Sequence, residues 1–238
     1  MTTVTVDAAG GGRHDARMTL PRADVTTGID SELQAFEDLL RSLDADDWAK
    51  PTRCEGWSVA DVAAHVVGGM ADVVSGRLDG LGTPEVTQRE VDERRGRSPA
   101  ELADETAGVR KAAADLLAAF DDDSWSSRAP GGYDGSLGDG VEALWFDTYV
   151  HGNDIRAAIG REPARGDGLR ASLSHLATEL TKRGWGPATL AFDGFPELPV
   201  SGGGRDIDGD ALQFVNAATG REDAAAIGLD EAVNVYGG

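Results

Sequence analysis

Apolar positions recur at helical spacing along most of the chain, and four long segments stand out before the pattern changes. The first runs from about Ile29 to Leu43, with Leu33, Phe36, Leu39, Leu40 and Leu43 on one stripe, the rhythm of an amphipathic helix. A second opens after Ser58, a good N-cap, with Asp61 three residues on as the acidic half of a capping box. Its apolar face is Val59, Val62, Ala63, Val66, Met70, Val73 and Val74. The third begins at Ser98-Pro99, a cap followed by proline at the first helical position, and continues to about Phe120. The fourth runs from near Leu137 to Ile159, where Gly160 stops it. A helix of that length spans about 30 Å, which suits a four-helix bundle.

Two of the connections resemble each other. One reads Asp46-Asp47-Trp48, then Pro51, Gly56 and Ser58; the other reads Asp122-Asp123-Ser124-Trp125, then Pro130, Gly135 and Ser136. This is a faint internal repeat of a helix–loop–helix unit, although acidic-Trp-Pro-Gly loops also recur by chance. After Gly160 the pattern changes. Leu169 to Arg183 and Ala211 to Thr219 read as helices, separated by short apolar runs at 188–192 and 198–200 and by Gly202-Gly203-Gly204. No Lys-Ser/Thr follows those glycines, so no phosphate loop is read there. The predicted organisation is mainly α: a flexible tail over residues 1–25, a four-helix bundle over 26–162, and a small α+β domain over 163–238 that packs on the bundle. Met18 is a candidate natural start, with the residues before it a leader or extension.

Composition narrows the classes. Lysine and arginine total 22 against 42 acidic residues, a formal charge of −20. Such a surface repels phosphate backbones and anionic lipid, so neither nucleic acid nor a membrane is an expected partner. A single cysteine, Cys54, forms no intrachain disulfide, and with no spanning segment the expected location is the cytoplasm.

Of four histidines, His14 lies in the tail and His175 in the fifth helix, while His65 and His151 sit among apolar neighbours on bundle helices. A buried imidazole needs a partner. Asp147 precedes His151 by four residues, so both leave one helical face. Counted from the cap serines, His65 is at +7, Asp147 at +11 and His151 at +15, offsets that share a face. Together they form a candidate three-ligand metal site with an open position; the competing reading is a core histidine oriented by Asp147. Asp154 is placed either to accept the free N–H of His151 or to pair with Arg156. Arg53 lies either near an anionic substrate or in a structural salt bridge. Trp57 and Trp145 pack or line the pocket mouth, Cys54 is either reactive or inert, and Glu142 points about 140° away from Asp147.

The stretch Thr52 to His65, TRCEGWSVADVAAH, resembles the helix-two signature of the DinB-like, mycothiol-dependent maleylpyruvate isomerase superfamily. Trp145 to Arg156, WFDTYVHGNDIR, is similar to its second signature. The resemblance covers roughly residues 25–160 and only loosely the remainder. It implies a DinB-like four-helix bundle holding a divalent metal, usually zinc, through His65, Asp147 and His151. Asp147 stands where the best-known members carry the longer glutamate. It further implies mycothiol, a low-molecular-weight thiol, as co-substrate in isomerisation or S-transfer on a small electrophile. Two other functions stay open: a non-catalytic, metal-stabilised small-molecule-binding protein, and a metal-dependent biosynthetic enzyme or hydrolase that uses no thiol.

Overall fold

The computed structural model describes residues 20–237; His14, Met18 and most of the expected tail lie outside them. The bundle is made by α1 (Arg22–Arg41), α3 (Val59–Val74), α5 (Pro99–Ala119) and α7 (Leu137–Ala158), with short helices α2 (Ala45–Trp48), α4 (Pro84–Glu93) and α6 (Asp122–Ser126) between them. Helix α1 packs against α5 and α7, and α3 packs against the same two, so α1 and α3 occupy diagonal corners. α1 starts earlier than Ile29, and Arg22–Val25, expected in the tail, form its first turn.

The serine caps act as their sequence suggests. Ser58, Ser98 and Ser136 each accept the N–H of the residue three further on, and Asp61, Glu101 and Asp139 reach back to the cap backbone. The two similar connections also fold alike. Each contains a short helix capped by an aspartate (Asp44 for α2, Asp121 for α6) and carrying a tryptophan. Each then makes one β-bridge to the cap serine, Pro51 to Ser58 and Arg128 to Ser136.

The bundle core has two storeys. Phe36, Leu40, Val62, Val66, Leu102 and Ile155 fill one, and Ile29, Leu33, Met70, Val109 and Trp145 the other. A third cluster lies outside the bundle. Phe146, Tyr149 and Val150 on the far side of α7 pack on α8 (Asp167–Lys182), on α9 (Ala211–Ala218) and on a small sheet. In that sheet β1 (Ala188–Leu190) lies between antiparallel β2 (Leu198–Val200) and parallel β3 (Arg205–Ile207). Apolar residues thus cover α7 on two sides, which makes it the spine shared by bundle and appendage. Among the described residues no helix is long and apolar enough to cross a membrane.

The sequence reading has no helix at α4. That helix buries only Glu90 and Val91, so its apolar stripe is too thin to register as periodicity. The start signal was there: Thr83 caps and Pro84 follows, the same signature used at Ser98-Pro99.

Close approach of α1 to α7 depends on Gly28. A Cβ there would lie 2.0 Å from Cη2 of Trp145, whose indole is held by an N–H bond to Glu32 at 3.2 Å. Overpacking at a pinned ring is costly. Gly28→Ala is expected to destabilise the fold by at least about 2 kcal/mol, read as a lower midpoint in urea; an unchanged midpoint would contradict this packing.

Candidate metal centre

His65 from α3 meets Asp147 and His151 from α7 where these two helices face each other. The Nε2 of His65 lies 3.7 Å from Oδ2 of Asp147, and the Nε2 of His151 lies 3.5 Å from its Oδ1. Both separations exceed a good hydrogen bond. The two rings stand edge to face, 5.2 Å between centroids at 88°, and one ligand atom from each residue falls within 4.8 Å of the others. Three donors therefore surround a common space without closing it by bonds among themselves. Both imidazoles are largely buried, while the Asp147 side chain is 37% exposed, so the space opens to solvent on the carboxylate side.

What turns the Nε2 atoms inward is the other nitrogen of each ring. The Nδ1 of His65 is 2.8 Å from Oε2 of Glu90 on α4, and the Nδ1 of His151 is 2.9 Å from Oδ2 of Asp154. An ionised carboxylate only accepts, so in the neutral imidazole the proton sits on Nδ1 and the Nε2 lone pair is left for a cation. Asp154, whose side chain is fully buried, is the His151 partner that the spacing allowed; its cations are Arg53 and Arg221, not Arg156. Arg221 grips it with Nε at 2.8 Å and Nη2 at 2.7 Å, and Arg53 Nε approaches to 2.5 Å. Burial raises the Asp154 carboxyl, but His151 and Arg221 outweigh it and hold it far below the usual carboxylate range.

A second set of potential ligands, Cys54, His151 and Asp154, also clusters. It fits a cation poorly. Asp154 already accepts from Arg53, Arg221, His151 and the Cys54 thiol, the last at 3.2 Å, and two guanidinium groups stand where a cation would repel them. Burial and the neighbouring Asp154 push the Cys54 thiol up to about 12, so it stays a neutral donor. The set His65, Asp147 and His151 has no such competitors, and its donor chemistry of two imidazoles and one carboxylate suits a divalent metal such as zinc.

The other expected residues fall into place around it. The Trp57 ring lies 5.3 Å from that of His65 and walls the site. Trp145 is in the bundle core rather than at the pocket mouth. His175 stacks on Phe146 at 4.5 Å, and burial pushes it down to about 4. Glu142 accepts from the Leu20 N–H at 3.4 Å, away from the triad. The sequence reading did not single out Glu90 and Arg221. Arg221 follows Gly220 in a turn after α9, where no periodicity marks one arginine from another.

Fold and donors together define a DinB-like helical bundle with a candidate His–Asp–His centre. The profile of the mycothiol maleylpyruvate isomerase N-terminal domain matches residues 29–156, and the chain belongs to that family. Two solved structures share the fold. One is a histidine-to-alanine mutant of the mycothiol-dependent maleylpyruvate isomerase, at 17% identity and TM-score 0.60, covering 89% of this chain and 96% of the other. The second is the mycothiol-dependent maleylpyruvate isomerase, at 18% identity and TM-score 0.58, covering 85% and 90%. Such coverage carries the likeness beyond the bundle into the α+β part. No curated protein sequence matches the chain.

Burial lowers the basicity of His65, but the negative charge of Asp147 and the hydrogen bond and charge of Glu90 outweigh it and raise this imidazole well above its ordinary value. Without a metal this shift favours a second proton on His65, which a cation would have to displace. Zinc affinity is expected to rise with pH across the neutral range, with about one proton released per ion bound. Titration calorimetry in buffers of different ionisation enthalpy measures this, and heats independent of buffer would contradict it.

Proposed function

We propose that the chain is a metal- and mycothiol-dependent isomerase of small, anionic, conjugated substrates, with maleylpyruvate the first to test. The observation that carries the reading is the pair of imidazoles whose Nδ1 atoms are tied to carboxylates while both Nε2 atoms face Asp147. In this reading His65, Asp147 and His151 hold the metal, and none of them shuttles protons. A divalent metal held by these three residues would supply positive charge that favours the ionised form of a nearby thiol at neutral pH. Reversible thiol addition across a conjugated double bond permits rotation and leaves the substrate changed only in geometry, which is the reaction the family name describes.

The chain's own residues supply the rest. Cys54 remains protonated, so the nucleophilic sulfur comes from the co-substrate. Arg53 and Arg221 place two positive charges on the single carboxylate of Asp154, and the surplus charge suits a substrate carboxylate near the centre. Arg53, about a quarter exposed, is the one open to solvent. Trp57 presents an apolar ring beside His65 on the wall of the site.

The test is turnover of maleylpyruvate by the zinc-loaded protein, followed by chromatography with and without mycothiol. His65→Ala and His151→Ala are each expected to lower kcat/KM by about 10³-fold or more. Each should also hold less than about a tenth of an equivalent of metal while keeping its circular dichroism spectrum. Turnover that persists unchanged without thiol would sink the thiol reading.

A further inference from the structure

The two histidines of the centre are backed unequally. Behind His151, the Asp154 carboxylate is shared with Arg53 and Arg221, and its charge is more than neutralised. Behind His65, the Glu90 side chain is 2% exposed and its ion-pair contact is His65 itself at 2.8 Å. Among the described residues no lysine or arginine reaches the Glu90 carboxylate. Arg94, one turn further on, gives Nη1 to the Glu90 carbonyl oxygen at 3.2 Å and Nη2 to Glu105 at 2.7 Å. With no lysine or arginine on it, the buried Glu90 carboxylate acts strongly on the one ring it touches.

The backbone is arranged to permit this contact. Helix α4 lies against α3 at Gly68 and Gly69, one turn after His65. A Cβ on Gly68 would fall 2.6 Å from Cβ of Glu90 and 2.8 Å from Nη1 of Arg94. A Cβ on Gly69 would meet Glu90 only at 3.7 Å, an ordinary contact. Gly68 therefore sets how near Glu90 can come to His65.

We infer that Glu90, admitted by Gly68, is a positioning residue that fixes the His65 tautomer and gives that ligand a negative charge which His151 lacks. The His65 side of the centre is thereby the stronger donor, and α4, peripheral to the bundle, tunes the metal. This rests on the metal reading above. Hydrogen bonding from a metal-ligating histidine to a carboxylate raises ligand basicity, and its loss typically weakens metal binding 10- to 100-fold.

Glu90→Gln keeps an acceptor oxygen of the same reach while removing the charge and exchanging the other oxygen for an NH2 donor. Zn²⁺ affinity, measured by competition with a chromophoric chelator, is expected to fall at least about 10-fold in this variant. The visible absorption of the Co²⁺-loaded protein should shift with it, which a purely structural role would not produce. Gly68→Ala should weaken Zn²⁺ binding as well, and Gly69→Ala should not. A Glu90→Gln protein that binds Zn²⁺ within about twofold of the wild type would overturn the inference while leaving the metal centre standing. If Glu90→Gln fails to fold, the glycine pair decides, and equal affinities in those two variants overturn it. Wild-type protein that takes up less than about a tenth of an equivalent of Zn²⁺ removes the metal reading itself, and this inference with it.

Discussion

A carboxylate removed from water stays ionised only if other groups replace the solvent around it. Asp154, with a fully buried side chain, meets that demand by drawing partners from three parts of the chain. His151 comes from its own helix, Arg53 and Cys54 from the loop before α3, and Arg221 from the turn after α9. Those bonds hold the loop and the α+β part against the bundle at one point, and that point also orients a candidate metal ligand. Removing Asp154 would leave two guanidinium groups without their shared anion, so this network couples folding to the geometry of the centre more tightly than apolar packing alone would.

Helix α7 is where these demands meet. Its apolar residues serve two cores, with Trp145 and Ile155 in the bundle and Phe146, Tyr149 and Val150 under the appendage. Burial on both sides leaves a narrow strip for polar groups, and Asp147, His151 and Asp154 occupy it at i, i+4 and i+7. His151 and Asp154 are held on that strip by the cores beside them, while the Asp147 carboxylate faces the solvent side of the site. The strip is therefore preorganised, which is what a centre with fixed ligand directions requires.

Much of this architecture is legible in the sequence. The long helices are amphipathic, and Ser58, Ser98 and Ser136 start three of them with capping boxes. Because helical spacing alone puts Asp147 and His151 on one face, half of the candidate site followed from counting. The repeated connections added that His65 shares the corresponding face of its own helix. The partners of Asp154 were another matter. Spacing offered Arg156, but the buried carboxylate is satisfied by Arg53 and Arg221, which are 101 and 67 residues away in the chain. Helix α4 escaped notice because it buries almost nothing apolar, although Thr83-Pro84 announced its start.

The sequence by itself determined the helices, their buried faces and the i, i+4 pair on α7, because each depends on residues within a turn or two of one another. It also carried the family signature in the two motifs around His65 and His151. Only the tertiary structure decided that Glu90 backs His65, that Arg53 and Arg221 neutralise Asp154, and that the two carboxylates differ in this. Those contacts join α4 to α3, and α7 to a turn beyond α9, so they depend on how separate elements pack. No local pattern encodes that distance, and the charge balance around the centre follows from it.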